Sequence, residues 1–151
     1  MALYLVQHGL SLPKDQDPEQ GLSPEGIADV ERIADVAAGY NVTVARIEHS
    51  GKARAAQTAQ LLGKYLVPTG GLHARSGLAP LDDVVAPADA LDPTAQLMLV
   101  GHLPFLERLT GHLLVGDAER RVLRFQNGGI VCLDAESGAW FVKWALMPRI
   151  G

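Results

Sequence analysis

Up to Gly116, short apolar runs of strand-forming residues alternate with amphipathic stretches of helical period, and that order leaves few folds open to the chain. Two runs stand out, Leu3-Tyr4-Leu5-Val6 and Leu97-Met98-Leu99-Val100. Each delivers a histidine just past its end, in Gln7-His8-Gly9 and in Gly101-His102-Leu103-Pro104. In an open parallel sheet, ligands bind outside the carboxyl ends of the strands, where strand order reverses. Two histidines brought to that edge by separate strands can work as a pair, one as nucleophile and one steadying charge.

The first strand is expected over residues 2–6, followed by a polar, proline-bearing loop from Leu10 to Leu22. Ser23-Pro24-Glu25 then opens a helix, with Ser as N-cap, Pro at the first helical position and an acid near the positive end of the dipole. Ile27, Val30, Ile33, Ala34 and Ala37 give this helix an apolar stripe, and Gly39 stops it. A second strand over 44–47 runs into Glu48-His49-Ser50. A helix over 52–65 follows, with Ala55, Ala59, Leu62 and Leu66 inward and Pro68 as terminator. Residues 70–87 read as irregular with a short strand near Leu72, and 87–91 as a short helix. The strand over 97–100 leads to His102 and to a helix from Pro104 that carries Phe105, Leu106, Leu109 and Leu113 on one side.

Beyond Gly116 the pattern becomes strands over 122–125, 130–133 and 140–144, joined by turns at Asn127-Gly128-Gly129 and Glu136-Ser137-Gly138. Alternating β and α followed by hairpins predicts an α/β fold. It should be one domain over 1–151, a three-layer sandwich whose mixed, mostly parallel sheet has helices on both faces.

A chain of 151 residues, 48% hydrophobic and 20% charged, can bury a core without disulfides or metals. Its one cysteine, Cys132, lies in the apolar run Ile130-Val131-Cys132-Leu133 and reads as a small buried hydrophobe. No disulfide can form within the chain, which fits a cytoplasmic location. The start Met1-Ala2-Leu3-Tyr4 has the pattern of a strand and not of a signal peptide. No apolar run approaches the roughly 20 residues that span a bilayer, so no membrane partner is expected. A net charge of −4 argues against nucleic-acid binding, which relies on clustered Lys and Arg. An anionic substrate would need positive charge gathered locally.

Three residues supply that chemistry. His8 carries an imidazole that is neutral at pH 7, a nucleophile needing no separate base. Arg54, in Ser50-Gly51-Lys52-Ala53-Arg54-Ala55-Ala56-Gln57-Thr58, sits early in a helix that begins at a strand end. Its planar guanidinium suits bidentate phosphate binding, and free N–H groups at the helix start add anion affinity. His102, ahead of another helix, is the third. Any one of these alone would more often be an ordinary surface residue. Together, on successive strand-to-helix junctions, they form a site.

With these motifs in order, the chain resembles the histidine phosphatase superfamily, the branch of phosphoglycerate mutases and acid phosphatases defined by an Arg-His-Gly motif. Within it, the chain is most similar to the small SixA-type phosphohistidine phosphatases. The resemblance rests on Leu5-Val6-Gln7-His8-Gly9, Leu22-Ser23-Pro24-Glu25-Gly26, the segment from Ser50 to Thr58, and Val100-Gly101-His102-Leu103-Pro104. The C-terminal strands ending at Trp144 and Pro148 also fit, so it spans essentially the whole chain. It implies a phosphoglycerate mutase-like fold and a phosphatase in which His8 becomes phosphorylated, Arg54 holds the phosphoryl oxygens, and His102 binds them and stabilises the transition state. Water then hydrolyses the phosphoenzyme. It implies no metal and no other cofactor, and the five histidines are scattered without ligand spacing.

The departure from the family pattern is Gln7, where an Arg usually forms a second phosphate clamp. Glutamine keeps hydrogen-bond donors but loses the charge, and a charge-assisted bond is roughly twice as strong as a neutral one. Lys52 is a candidate to restore positive charge. The resemblance also implies a general acid between the second helix and the second histidine. Asp83 in Ala79-Pro80-Leu81-Asp82-Asp83 is the first choice and Asp82 the next, with helix capping as the competing role for either. Ser11 stands where the family often has a small hydroxyl near the phosphate. The phosphate-binding set is therefore Gln7, His8, Gly9, Ser11, Arg54 and His102. His49 is a candidate for the pocket wall, whereas His73 and His112 read as surface residues.

Larger relatives cap the pocket with long insertions. Here the stretch from His73 to Gln96 is short and stiffened by Pro80, Pro87 and Pro93. A shallow pocket suits a phosphorylated side chain on another protein, so the expected substrate is phosphohistidine on a phosphotransfer or phosphocarrier domain. Two alternatives stay open: a small-molecule phosphomonoesterase acting on a small phosphate ester, and a non-catalytic phosphate-binding module in which Gln7 marks lost turnover.

Overall fold

The structure, a computed structural model, describes residues 1–150. Ten elements follow in chain order: β1 (Leu3–Gln7), α1 (Pro24–Gly39), β2 (Arg46–His49), α2 (Ala53–Leu66), β3 (Leu72–Ala74), α3 (Val85–Asp89), β4 (Leu97–Gly101), α4 (Phe105–Val115), β5 (Ile130–Glu136) and β6 (Ala139–Leu146). The strands form one six-stranded sheet in the order β3-β2-β4-β1-β5-β6. The first four in that order are parallel, and β5 and β6 add antiparallel on the β1 side. This is the mixed, mostly parallel α/β sandwich that the alternation of elements predicts.

Alternation along β1 divides the core into two layers. Tyr4 and Val6 face α1 and α2, packing with Val30, Ile33, Ala59 and Leu62, while Leu3 and Leu5 face α3 and α4 with Ala88, Phe105, Leu106 and Leu109. The central strands are apolar on both faces because helices cover both. Cys132 is buried within β5, as its surroundings in sequence imply.

The helix starts carry out what their sequences encode. The Ser23 hydroxyl accepts from the Gly26 amide at 3.0 Å, ahead of Pro24 and Glu25. Gly26 is needed for close approach, since a Cβ there would collide with the Leu10 carbonyl. This contact pins the loop after β1 onto α1. The β5–β6 hairpin turns through Ser137 and Gly138 at φ 52° and 80°, the left-handed pair that a two-residue turn requires.

Three expectations are corrected. Residues 122–125 are not a strand: Leu123 and Phe125 pack from an irregular segment onto the α4 layer. β1 is flanked by β4 on one side and β5 on the other, so the segment finds no partner there. Within α1, Ile27 is 37% exposed and Asp29 takes the buried place at 7%. Asp29 can be buried because Arg32 and Arg149 pair with it at 3.2 and 2.8 Å. The short helix expected over 87–91 begins two residues earlier, at Val85. Among the described residues no helix is long and apolar enough to cross a membrane.

Candidate active site

The strand order places β2, β4 and β1 side by side, so their carboxyl ends bring Ser50, His102 and His8 to one edge. This is also where the topology switches, because α1 leaves β1 on one face of the sheet and α4 leaves β4 on the other. The His8 amide donates to the Gly101 carbonyl at 3.0 Å, extending the β1–β4 ladder by one residue into the crevice. The two imidazoles lie with ring centroids 5.1 Å apart and planes inclined by 51°.

The His8 ring is held in one orientation. Its Nδ1 lies 2.7 Å from the Gly9 carbonyl oxygen, which can only accept, so Nδ1 carries the proton and Nε2 keeps a free lone pair. The Asn127 side-chain amide donates to the His8 carbonyl at 2.9 Å, and the Gly128 amide donates to the Gln7 carbonyl at 2.9 Å. The loop before β5 therefore braces the backbone on both sides of His8. Burial first, and then the Arg54 charge, lowers the pKa of His8 below 6.5, while the bond to Gly9 opposes them. A lowered value keeps the ring neutral and nucleophilic at pH 7.

His102 is 2% exposed, and its Nε2 lies 2.6 Å from the Ser50 hydroxyl. Its Nδ1 is buried without a partner. An orphaned lone pair costs less than an orphaned N–H, so this network places the proton on Nε2, directed at Ser50. Burial, followed by the charges of His8, Arg54 and Lys52, pulls the pKa of His102 from 6.5 down to about 3. The folded state thus binds fewer protons than the unfolded chain below pH 6.5. The stability gained by keeping His102 neutral is present above that pH and is lost as pH falls toward about 3. Denaturant midpoints should drop between pH about 7 and about 4, and drop less in His102→Gln. An equal decline in both proteins would contradict this assignment.

Arg54 is the second residue of α2, half-buried, and its charge bears on both imidazoles. It forms no ion pair among the described residues, which leaves the guanidinium available to an anion. Thr58 ties its helix turn to the nucleophile segment. The Thr58 hydroxyl donates to the Arg54 carbonyl at 2.7 Å and accepts from the Gly9 amide at 2.9 Å.

That last bond engages the amide of Gly9, a member of the expected phosphate-binding set, with Thr58. Gly9 also serves close packing: a Cβ there would lie 2.8 Å from Cγ2 of Val30. Asp83 is placed differently from a general acid. Its carboxylate accepts from the Ala86 amide at 3.3 Å, and backbone N–H groups at the start of α3 hold its pKa below the usual carboxylate range. An acid held ionised by backbone N–H groups is a poor proton donor. Asp82 is similarly engaged by the Ala79 amide at 2.9 Å. Ser11 forms a backbone bridge to Leu22, and Lys52 stands at the N-cap position of α2 with its charge felt at His102. Gln7 lies at the end of β1 with its side-chain oxygen buried and without a partner. His49 accepts from the Gly51 amide through Nδ1 at 3.1 Å and does not join the imidazole pair.

Three supporting residues carry no isolated sequence signal. Ser50, Thr58 and Asn127 reach His102, Gly9 and His8 across chain separations of 52, 49 and 119 residues. The first two lie inside the motif that contains Arg54. Asn127 is in a segment that reads as turn chemistry. Among the described residues no group of three or more His, Cys, Asp or Glu side chains could hold a metal ion.

No protein-family model and no curated protein sequence matches the chain. Solved structures do. The protein histidine phosphatase SixA in complex with tungstate is 22% identical, with a TM-score of 0.82 over 98% of this chain and 97% of that one. A protein assigned as the SixA phosphohistidine phosphatase of Agrobacterium tumefaciens is 26% identical, with a TM-score of 0.78 over 96% and 97%. Phosphoserine phosphatase from Entamoeba histolytica, in complex with 3-phosphoglyceric acid, is 16% identical, with a TM-score of 0.73 over 96% of each chain. The structural neighbours are thus SixA phosphohistidine phosphatases and related members of the histidine phosphatase superfamily, and the chain has their phosphoglycerate mutase-like fold.

Proposed function

We propose that this chain is a phosphatase of the histidine phosphatase type, metal-independent, that works through a phosphohistidine on His8 and removes phosphate from phosphohistidine on a phosphotransfer or phosphocarrier domain. The observation that carries the reading is the His8 ring itself. Nδ1 is committed to the Gly9 carbonyl at 2.7 Å, so Nε2 presents its lone pair beside His102 and the unpaired Arg54. In the proposed reaction Nε2 of His8 forms a bond to phosphorus as the bond from phosphorus to the leaving group breaks, and that group takes a proton from solvent water. Arg54 meets the charge on the transferring phosphoryl oxygens, joined by the Nε2–H of His102 as it exchanges the Ser50 hydroxyl for a phosphoryl oxygen. Water then attacks phosphorus, releases inorganic phosphate and returns the lone pair to His8.

Two features support a phosphohistidine substrate. The carboxylate best placed in sequence to act as general acid, Asp83, is engaged at the start of α3. A leaving imidazole accepts a proton readily, so P–N cleavage needs less acid assistance than cleavage of an alkyl phosphate. Between β3 and β4 the only helix is the five-residue α3, which leaves the crevice open to a side chain presented by a protein.

Phosphate release should be fastest from a phosphohistidine protein, against aryl phosphates, phosphoserine and sugar phosphates, and should persist in excess chelator. A strong preference for a sugar phosphate would replace this substrate, and loss of activity in chelator would remove metal independence. The likeness to a phosphoserine phosphatase favours a second reading, a phosphomonoesterase for small esters that uses the same three residues.

A further inference from the structure

Four arginines line three adjoining surface clefts, Arg108, Arg121, Arg124 and Arg149, and three of them are neutralised. Arg108 pairs with Glu119, Arg121 with Glu107, and Arg149 bridges Glu25 and Asp29. Arg32 also pairs with Asp29, so Arg32 and Arg149 balance Glu25 and Asp29 charge for charge. Arg124 is exposed and forms no ion pair among the described residues. Among the four arginines that line these clefts it is the one left without an ion pair.

Its place is defined by two clefts that it shares. One is also lined by Leu10 and Asn127, and the other by Leu103. Leu10 follows His8 by two residues, Asn127 donates to the His8 carbonyl at 2.9 Å, and Leu103 directly follows His102. Arg124 thus stands outside the His8, Arg54 and His102 cluster, at the junction of the two segments that bear the histidines. Phe125, buried at 6% in the α4 layer, anchors the backbone beside it. A phosphoryl group held by the three inner residues must send its leaving group outward, and Arg124 lies on the surface next to the chain neighbours of both histidines, Leu10 and Leu103.

We infer that Arg124 is a specificity-determining residue that binds a carboxylate carried by the leaving group of the substrate. The inference rests on the phosphatase reading for where the phosphate sits. The carboxylate can belong to a small phosphorylated acid or to an acidic residue next to a phosphohistidine in a protein, since the guanidinium recognises the same group in both.

Binding tests this without requiring turnover. In a His8→Ala background, calorimetry compares phosphoserine with phosphoethanolamine, which lacks only the carboxylate. It also compares two phosphohistidine peptides that differ by Glu or Gln beside the phosphorylated residue. The carboxylate-bearing member of at least one pair should bind about fivefold more tightly, the factor an exposed ion pair supplies. That preference should vanish in Arg124→Gln, persist in part in Arg124→Lys, and stay intact in Arg121→Gln. Preference only in the first pair identifies a small acid as the source, and preference only in the second identifies a protein. Equal affinities within both pairs, a preference that survives Arg124→Gln, or no binding by any of the four ligands would overturn the assignment. Failure of the wild-type chain to hydrolyse any phosphate would instead sink the phosphatase reading, and the binding comparison stands apart from it.

Discussion

Replacing His8 by Ala should lower turnover by about 10³-fold or more while leaving the fold intact. The size follows from the role. His8 forms the covalent bond, and neither Arg54 nor His102 is placed to substitute for it. The Nε2 of His102 faces Ser50 at 2.6 Å, and its pKa near 3 marks it as a weak base. The variant should still bind tungstate or phosphate, because two of the three inner groups remain. Retained binding with abolished turnover is the signature of a lost nucleophile, and joint loss of both would point to collapse of the site. Steady-state kinetics and calorimetry on the same preparation separate these outcomes. Turnover in His8→Ala within tenfold of wild type would remove His8 from the mechanism.

Arg54→Ala should cost about 10²–10³-fold in kcat/KM, the scale for removing one preorganised stabiliser of developing charge. The effect should be this large because Gln7 supplies no second cation at the end of β1, and Lys52 is exposed at the N-cap of α2. A second consequence follows from the same charge. Arg54 lowers the pKa of both imidazoles, so its removal lets both rise. The protonated form of His8 has no lone pair to offer, and the acid limb of the kcat/KM profile should therefore move to higher pH. Arg54→Lys should restore the limb more fully than it restores the rate, since Lys returns the charge without the planar fork. A slower enzyme with an unmoved acid limb would mean that Arg54 acts at a distance from His8.

The alternation of elements was readable because each carries its own local chemistry. Ser23-Pro24-Glu25 starts α1 wherever it is placed, and Leu3–Val6 is apolar on both faces because both faces are covered. His8, Arg54 and His102 were readable because strand-to-helix junctions fall at one edge of a parallel sheet. The less readable features are those where one residue type serves two physical roles. Asp83 offered a carboxylate, and the start of α3 claimed it before any substrate could. Gly9 offered an amide, and Thr58 took it across 49 residues of chain. Val122 to Phe125 looks like a strand from its apolar content, yet only sheet topology reveals that β5 already occupies the available side of β1. Ile27 and Asp29 exchanged expected burial because their environment depends on Arg149, far along the chain. Ser50 and Asn127 belong to the same class, since their partners are set by strand order and not by spacing.

The central claim is that phosphorus passes through the Nε2 of His8. Rapid mixing with a ³²P-labelled phosphohistidine protein, followed by an alkaline quench that preserves phosphoramidates, and peptide mapping by mass spectrometry read this directly. The account expects transient label on the peptide carrying His8, attached at Nε2, sensitive to acid and absent from His8→Ala. Label on Ser50 or His102, or rapid turnover with no labelled protein at any time point, would contradict it.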